Sequence, residues 1–407
     1  MKNALKDIAN AMHAAVPEAS FAVRFWDGEV HTIGTAPAFT LSFRDKAAAS
    51  AVIADGFLGF GESYMTGAIE VDGDMQLLFR LGFAVGYTDH SMSLKSKIRI
   101  LILHILKQNT LTGARKNIAH HYDVGNEFYR RFLGPTMAYT CAYYDRPDRT
   151  LEEAQTAKLE LVARKLRLQP GDHIAELGCG WGGFLIHAAQ HYGITGVGVT
   201  LSKEQVDYAT QRIAALGLQD RIRVELKDYR ELEGTYDKVA SIGMMEHVGI
   251  RFVPGCFKKI KALLKPRGIG LVHTIGNDVL RNADPWFDRY IFPGGQVPPL
   301  SMLIDGVCDN GMNVVDVENL RLHYELTLFH WIENFRANED WIRATYDDVF
   351  LRMYRLYLEV CASSFRYGDN RLFQVLFTNG LSDLVPLTRS DLYTAPAPVA
   401  SPEPVPA

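Results

Sequence analysis

The stretch His173-Ile174-Ala175-Glu176-Leu177-Gly178-Cys179-Gly180-Trp181-Gly182-Gly183 decides the fold of this 407-residue chain. Five residues of strand character run into a glycine-rich loop, and Phe184 to His191 continue as a helix. Strand, tight loop and helix together hold a nucleotide-like ligand at the carboxyl ends of parallel strands. Gly178 and Gly180 let the backbone pass close to such a ligand, because no Cβ intervenes. The loop has no Gly-Lys-Ser/Thr, so it is not a triphosphate-binding P-loop. Gly178, Gly180 and Gly183 fit the dinucleotide spacing Gly-x-Gly-x-x-Gly, but that fingerprint wants a carboxylate about 20 residues further on. Here the next strand ends in Val199-Thr200-Leu201-Ser202, with no carboxylate until Glu204.

Outward from the loop, the chain keeps the rhythm of an α/β sheet. Leu159 to Leu166 reads as a helix and Gln169-Pro170-Gly171 as a turn. Strands follow at Gly196–Thr200, Arg223–Leu226, Tyr236–Ile242 and, after a Lys-Pro-Arg-Gly turn at 265–268, Gly268–His273. Ser202 with Gln205 three residues on is a capping-box arrangement opening the helix between the second and third strands. Strands separated by helices imply a parallel sheet covered on both faces. The Pro- and Gly-rich insertion Asp278 to Leu300 should stand above the strand ends as a lid or substrate wall. Glu318 to Val349 and Phe350 to Ser363 read as largely helical, and residues 391–407 as a disordered tail.

The length suggests two domains. Residues 1–115 read as a smaller α+β unit. Phe21 to Trp26 is a strand entering the Asp27-Gly28 turn, and Ala38 to Phe43 is another, with Phe39, Leu41 and Phe43 alternating onto one face. Lys46 to Asp55 fits a short helix, and Gly59, Gly61, Gly67 and Gly73 read as bends. No acidic residue occurs between Asp89 and Asp123, while six Lys and Arg fall there over an apolar stripe that includes Ile98, Leu101, Ile102, Ile105 and Leu106. That stripe is either a basic amphipathic helix for anionic headgroups or a helix packed on the next domain.

With a formal charge of -4, no overall basic field is available to hold a nucleic acid. Five cysteines without a CxxC pair suit a reducing, cytoplasmic compartment. No cleaved signal peptide is expected, and no run approaches the length of a membrane span, so any membrane contact should be peripheral.

Glu176 before the loop resembles the first motif of class I methyltransferases, and the flanking segments carry a closer resemblance. They are His120-His121-Tyr122-Asp123-Val124-Gly125-Asn126-Glu127-Phe128-Tyr129, Met137 to Tyr144, Glu176 to Gly183, Gly198 to Gln205, Ser241 to Gly249 and Tyr290 to Gly295. His323-Tyr324, Thr327-Leu328, Trp331, Cys361-Ala362 and Phe365-Arg366 complete the set. In this order they resemble the cyclopropane fatty acid synthases and the related mycolic acid cyclopropane synthases, over residues 120 to 366.

The resemblance implies a Rossmann-like, class I S-adenosylmethionine-dependent methyltransferase domain over 116–390, and residues 1–115 as the lipid-associated domain of the phospholipid-acting members. Tyr139, Thr140, Gly178, Gly180, Thr200, Leu201 and Gln205 would contact S-adenosylmethionine, with Asp228 and Tyr229 near the adenine. Thr140 stands where many members have serine and keeps the hydroxyl. Cys141, Glu246, His273, Ile275 and Tyr324 match the positions that hold bicarbonate, which serves as the base. Cys141, Glu246, His273 and Tyr324 are thus the catalytic candidates, and thiol chemistry on Cys141 is not expected. The implied reaction adds a methylene across a cis double bond of an unsaturated phospholipid, by a homodimer at the inner membrane face. A methyl-branched product, another lipid methylation and a non-catalytic lipid-binding protein are the alternatives. No spacing such as His-Glu-x-x-His occurs, so no metal is expected.

Overall fold

The computed structural model describes residues 1–86 and 124–393. The basic stripe at 95–116, the His120–Asp123 part of the first motif and residues 394–407 of the expected tail lie outside the described residues; residues 391–393 fall in a short helix, Ser390–Tyr393.

The alternating phenylalanines of the N-terminal unit do share a face. β1 (Phe21–Arg24) pairs antiparallel with β2 (Val30–Ile33) and parallel with β3 (Phe39–Phe43), which pairs antiparallel with β4 (Ile69–Gly73). Phe21 and Phe39 stack at 5.1 Å on the covered face. The helix expected over Lys46 to Asp55 runs on to Met65, capped by Asp45, and is kinked at Gly56, whose φ is 57°. Gly59 and Gly61 therefore lie inside the helix rather than at bends. Close packing explains Gly61: a Cβ there would stand 2.5 Å from the Trp286 indole. Gly67 and Gly73, by contrast, take the left-handed backbone expected of turns.

The second sheet has the order β10-β11-β9-β8-β5-β6-β7. Its strands are β5 (His173–Leu177), β6 (Thr195–Thr200), β7 (Ile222–Leu226), β8 (Tyr236–Ile242), β9 (Leu264–Asn277), β10 (Asn313–Asn319) and β11 (Asn370–Thr378). β5 to β9 are mutually parallel, as the alternation of strands and helices requires. β11 enters between β9 and β10 and is antiparallel to both. The 265–268 turn is absorbed into β9 as an irregularity opposite Tyr236 and Lys238. Glu318, expected in a helix, instead closes β10; helices then run Arg321–Ala337, Glu339–Thr345 and Asp348–Tyr367.

Helices Leu151–Lys165, Gly183–Tyr192 and Lys203–Ala215 cover one face of this sheet, and Val253–Leu263 and Leu300–Cys308 the other. A third core joins the N-terminal unit to helices Asn126–Leu133, Arg321–Ala337 and Asp348–Tyr367. Polar contacts tie the same parts together. Ser363 Oγ donates to Gln76 Oε1 at 2.6 Å, Tyr290 OH to Glu62 at 2.9 Å, and Arg352 to the Ile69 carbonyl at 2.9 Å. The insertion after β9 carries the helix Pro285–Tyr290, and its Trp286 is fully buried against the N-terminal unit. No helix among the described residues is long and apolar enough to cross a membrane.

Candidate active site

The glycine loop bends as its sequence demands. Gly178 and Gly180 have φ of 74° and 54°, in the left-handed region where a Cβ is costly. A cleft holding about 500 Å³ of space, part of it open to solvent, lies beside the loop at the carboxyl ends of the strands. Gly178, Thr200, Leu201, Asp228 and Tyr229 line it, joined by Met244 and His247. Gln205 stands behind this wall and accepts the Thr200 hydroxyl proton at 2.6 Å. Ser202 caps the following helix as expected, accepting from the Gln205 N–H, while the Gln205 side chain is engaged by Thr200 instead of completing a capping box. Asp228 is buried and tightly held. Its oxygens accept from the Arg230 N–H at 2.9 Å and from the Arg230 guanidinium at 2.8 and 2.6 Å. Burial holds His247 neutral, with its pKa down at about 4.

Tyr139, Thr140 and Cys141 come from a separate segment that meets the chain just after β8. A Cβ on Gly243, just after β8, would lie 2.4 Å from Thr140 Cγ2 and 4.0 Å from Glu246 Oε1, so these three residues meet. Glu246 follows the end of β8. Its carboxylate accepts from Thr274 Oγ1 at 2.6 Å and from the Ile275 backbone N–H. Loss of hydration raises its pKa, and those two donors partly offset the rise. His273 is 1% exposed; its Nδ1 faces the Gln374 amide at 3.1 Å, and its Nε2 has no hydrogen-bond partner among the described residues. Burial, reinforced by the Lys158 and Lys165 ammonium groups, keeps His273 neutral. Cys141 is buried, its thiol pKa is driven far up, and its Sγ points to the Ala142 carbonyl at 3.1 Å. Such a thiol is no nucleophile at neutral pH. Tyr324 is fixed by stacking on Phe365 at 4.4 Å and an edge contact with Trp331 at 6.0 Å. The Tyr139 and Tyr357 hydroxyls hydrogen-bond at 2.8 Å, and Phe292 of the insertion packs on Tyr357 at 5.6 Å.

Beneath this segment lies a polar set that sequence reading passed over. Helix Leu151–Lys165 buries Gln155 and Lys158 completely or nearly so. Gln155 donates to the carbonyls of Ala138 and Thr140 at 3.3 and 2.8 Å, and Lys158 Nζ to Thr140 Oγ1 at 2.7 Å. Polar residues at i and i+3 look solvent-facing in a sequence; only that segment makes this face interior. Burial lowers the Lys158 pKa to about 8 and raises that of Glu176 to about 8, each partly countered by the other's charge.

A carboxyl that holds its proton more tightly when folded stabilises the fold below its ordinary pKa of 4.5, and that stability is lost as pH rises toward 8. Glu176→Gln should therefore flatten the decline in melting temperature between pH 5 and 8, read by calorimetry at half-unit steps. An unchanged slope would mean Glu176 is ionised throughout.

Residues 109–375 match the family described as mycolic acid cyclopropane synthetase, and residues 8–97 match a domain of unknown function, DUF7884. The chain is 36% identical to a probable fatty acid methyltransferase of Pseudomonas putida, over 91% of this chain and 95% of that one. It is also 36% identical to the cyclopropane-fatty-acyl-phospholipid synthase of Escherichia coli K12, over 82% of this chain and 86% of the relative. Among solved structures, a mycolic acid cyclopropane synthase complexed with SAH and CTAB superposes with a TM-score of 0.62 at 34% identity, covering 65% of this chain and 98% of that one. The match over 109–375, more than half of the chain, places this protein in the mycolic acid cyclopropane synthetase family.

Proposed function

We propose that this chain transfers a methylene group from S-adenosylmethionine to the cis double bond of an unsaturated phospholipid acyl chain, closing a cyclopropane ring. The observation that carries the reading is that Glu246, held by Thr274 and Ile275 and close to Thr140, lies in the chain between Met244 and His247, which line the glycine-loop cavity, in a family member 36% identical to a phospholipid cyclopropane synthase.

The residues present fit both small molecules. Left-handed Gly178 and Gly180 clear the approach for S-adenosylmethionine, with Thr200, Leu201, Asp228 and Tyr229 around it. When bound, it supplies an electrophilic methyl group. The unpartnered Nε2 of buried His273 and the buried Lys158 ammonium suit bicarbonate, with Cys141, Glu246, Ile275 and Tyr324 as its other holders. When bound, it supplies a base.

The protein's own contribution is positioning and dryness. Glu246, fixed by Thr274 and Ile275, accepts a proton-bearing oxygen, and stacked Tyr324 offers a hydroxyl. An acyl chain that becomes positively charged must be kept from water. Tyr139, Trp331, Tyr357 and Phe292 form an aromatic wall, and each correctly presented ring face contributes roughly 0.5 to 2 kcal/mol toward a cation.

Incubation with unsaturated phospholipid vesicles and labelled S-adenosylmethionine, followed by mass spectrometry, tests the reading. The ring adds one CH2 and removes the double bond as an alkene. A second reading, methyl branching, is favoured by the fatty acid methyltransferase among the relatives; a saturated branched product would establish it in place of the ring.

The reading assigns residues 1–115 to lipid association and 116–390 to catalysis. It also carries a cytoplasmic homodimer docked on the inner membrane face, which sedimentation and vesicle flotation test.

A further inference from the structure

Inside the N-terminal unit lies a groove holding about 840 Å³ of space, part of it open to solvent. Its floor is the covered face of the small sheet, formed by Phe21, Val23, Phe39, Leu41 and Phe43. Ile8, Met12, Val52 and Phe83 close over it from three helices. Every described residue of the lining is apolar, so almost no hydrogen bond is offered along it. An extended peptide segment lying there would leave its backbone N–H and C=O groups unpaired, at roughly 1 to 3 kcal/mol each. A hydrocarbon chain carries no such group, and each CH2 withdrawn from water contributes about 0.8 kcal/mol. Ring packing connects the groove to the aromatic wall of the reaction site. Val360 lines it and shares the helix Asp348–Tyr367 with Tyr357, while Phe57 of the groove packs on Trp286 and Phe287, and Phe287 on Tyr357.

We infer that this groove is a second acyl-chain site, which holds a lipid chain that is not reacting. The inference rests on the lipid reading above for the source of the chain, and it gives a role to the stretch that matches only a domain of unknown function.

Gly82 supplies the test. It lines the groove within the helix Met75–Ala84, its φ is not in the left-handed region, and a Cβ there would meet no described atom within 4 Å. Gly82→Leu should fill the groove while leaving the fold intact, because replacing a helical glycine favours the helix; Gly82→Ala is the control that adds helix propensity without much bulk.

The probe is a phosphatidylethanolamine with a diazirine at the middle of one acyl chain, in vesicles with the full-length protein. Photolabelled peptides should include residues 39–60 and 75–83 as well as catalytic ones. Labelling of those N-terminal peptides should fall about tenfold in Gly82→Leu and little in Gly82→Ala, with neither variant melting below the parent protein. Label confined to residues 124–378, or groove label indifferent to Gly82→Leu, overturns the proposal. So do crosslinks showing that residues 98–106 fill the groove and exclude the probe. Methylene transfer assayed on the same vesicles separates the two readings: product without groove label removes only the groove, and groove label without product removes only the reaction.

Discussion

Glu246→Gln should lower turnover by about 10²- to 10⁴-fold, the range for loss of a positioned proton-transfer group. S-adenosylmethionine affinity should change less than about threefold, because Glu246 is engaged with Thr274 and Ile275 and is absent from the lining of the cofactor cavity. The amide keeps the size of the side chain and can still bond Thr274, so the fold should hold. What it loses is the ability to accept through either oxygen. Single-turnover kinetics on lipid vesicles, beside calorimetric titration of S-adenosylmethionine, separates the two quantities. Equal losses in both would mean that Glu246 shapes the cofactor site rather than the proton path.

Gly178→Ala should have the second large effect. The residue sits at φ 74°, where an L side chain costs roughly 1 to 2 kcal/mol. Its new Cβ would also stand 2.7 Å from Met244 Cβ, and such overpacking costs typically 1 to 3 kcal/mol. If the loop relieves this by moving, the cavity it borders closes or shifts, and the Kd for S-adenosylmethionine rises roughly 30- to 1,000-fold at about 1.4 kcal/mol per tenfold. A lower melting temperature with unchanged Kd would show that the loop bears the strain without serving the ligand.

The strand–loop–helix core was legible because each of its signals is local. Strand character in 173–177, glycines where φ must be positive and Ser202 at a helix start can all be read from neighbours in the chain. The single helix from Lys46 to Met65 was not, because its glycines look like breaks. Gly61 is small only to admit Trp286, which is 225 residues away and invisible to local pattern. Lys158 and Gln155 escaped for the same reason: a lysine and a glutamine on a helix signal solvent until another segment covers them. Glu246 beside His247 reads from the residues as a candidate acid–base pair, but its role at the reaction centre, and the choice of His273, came through resemblance. What the structure adds is their physical setting, a carboxylate between two donors and an imidazole with one nitrogen unpartnered.

The placement of β11 has a consequence for how the protein is made. Its nine residues fill the gap between β9 and β10, so an interior seam of the catalytic sheet waits for the last strand of the described residues. At about 5 to 20 residues per second, that strand leaves the ribosome many seconds after β9. Throughout that interval β9 has an open edge, a template for the wrong partner. The imidazole of His273 also lacks Gln374, which β11 brings to it. A nascent chain halted before Asn370 should therefore be protease-sensitive across β9, so the reaction centre is assembled only once β11 has been made.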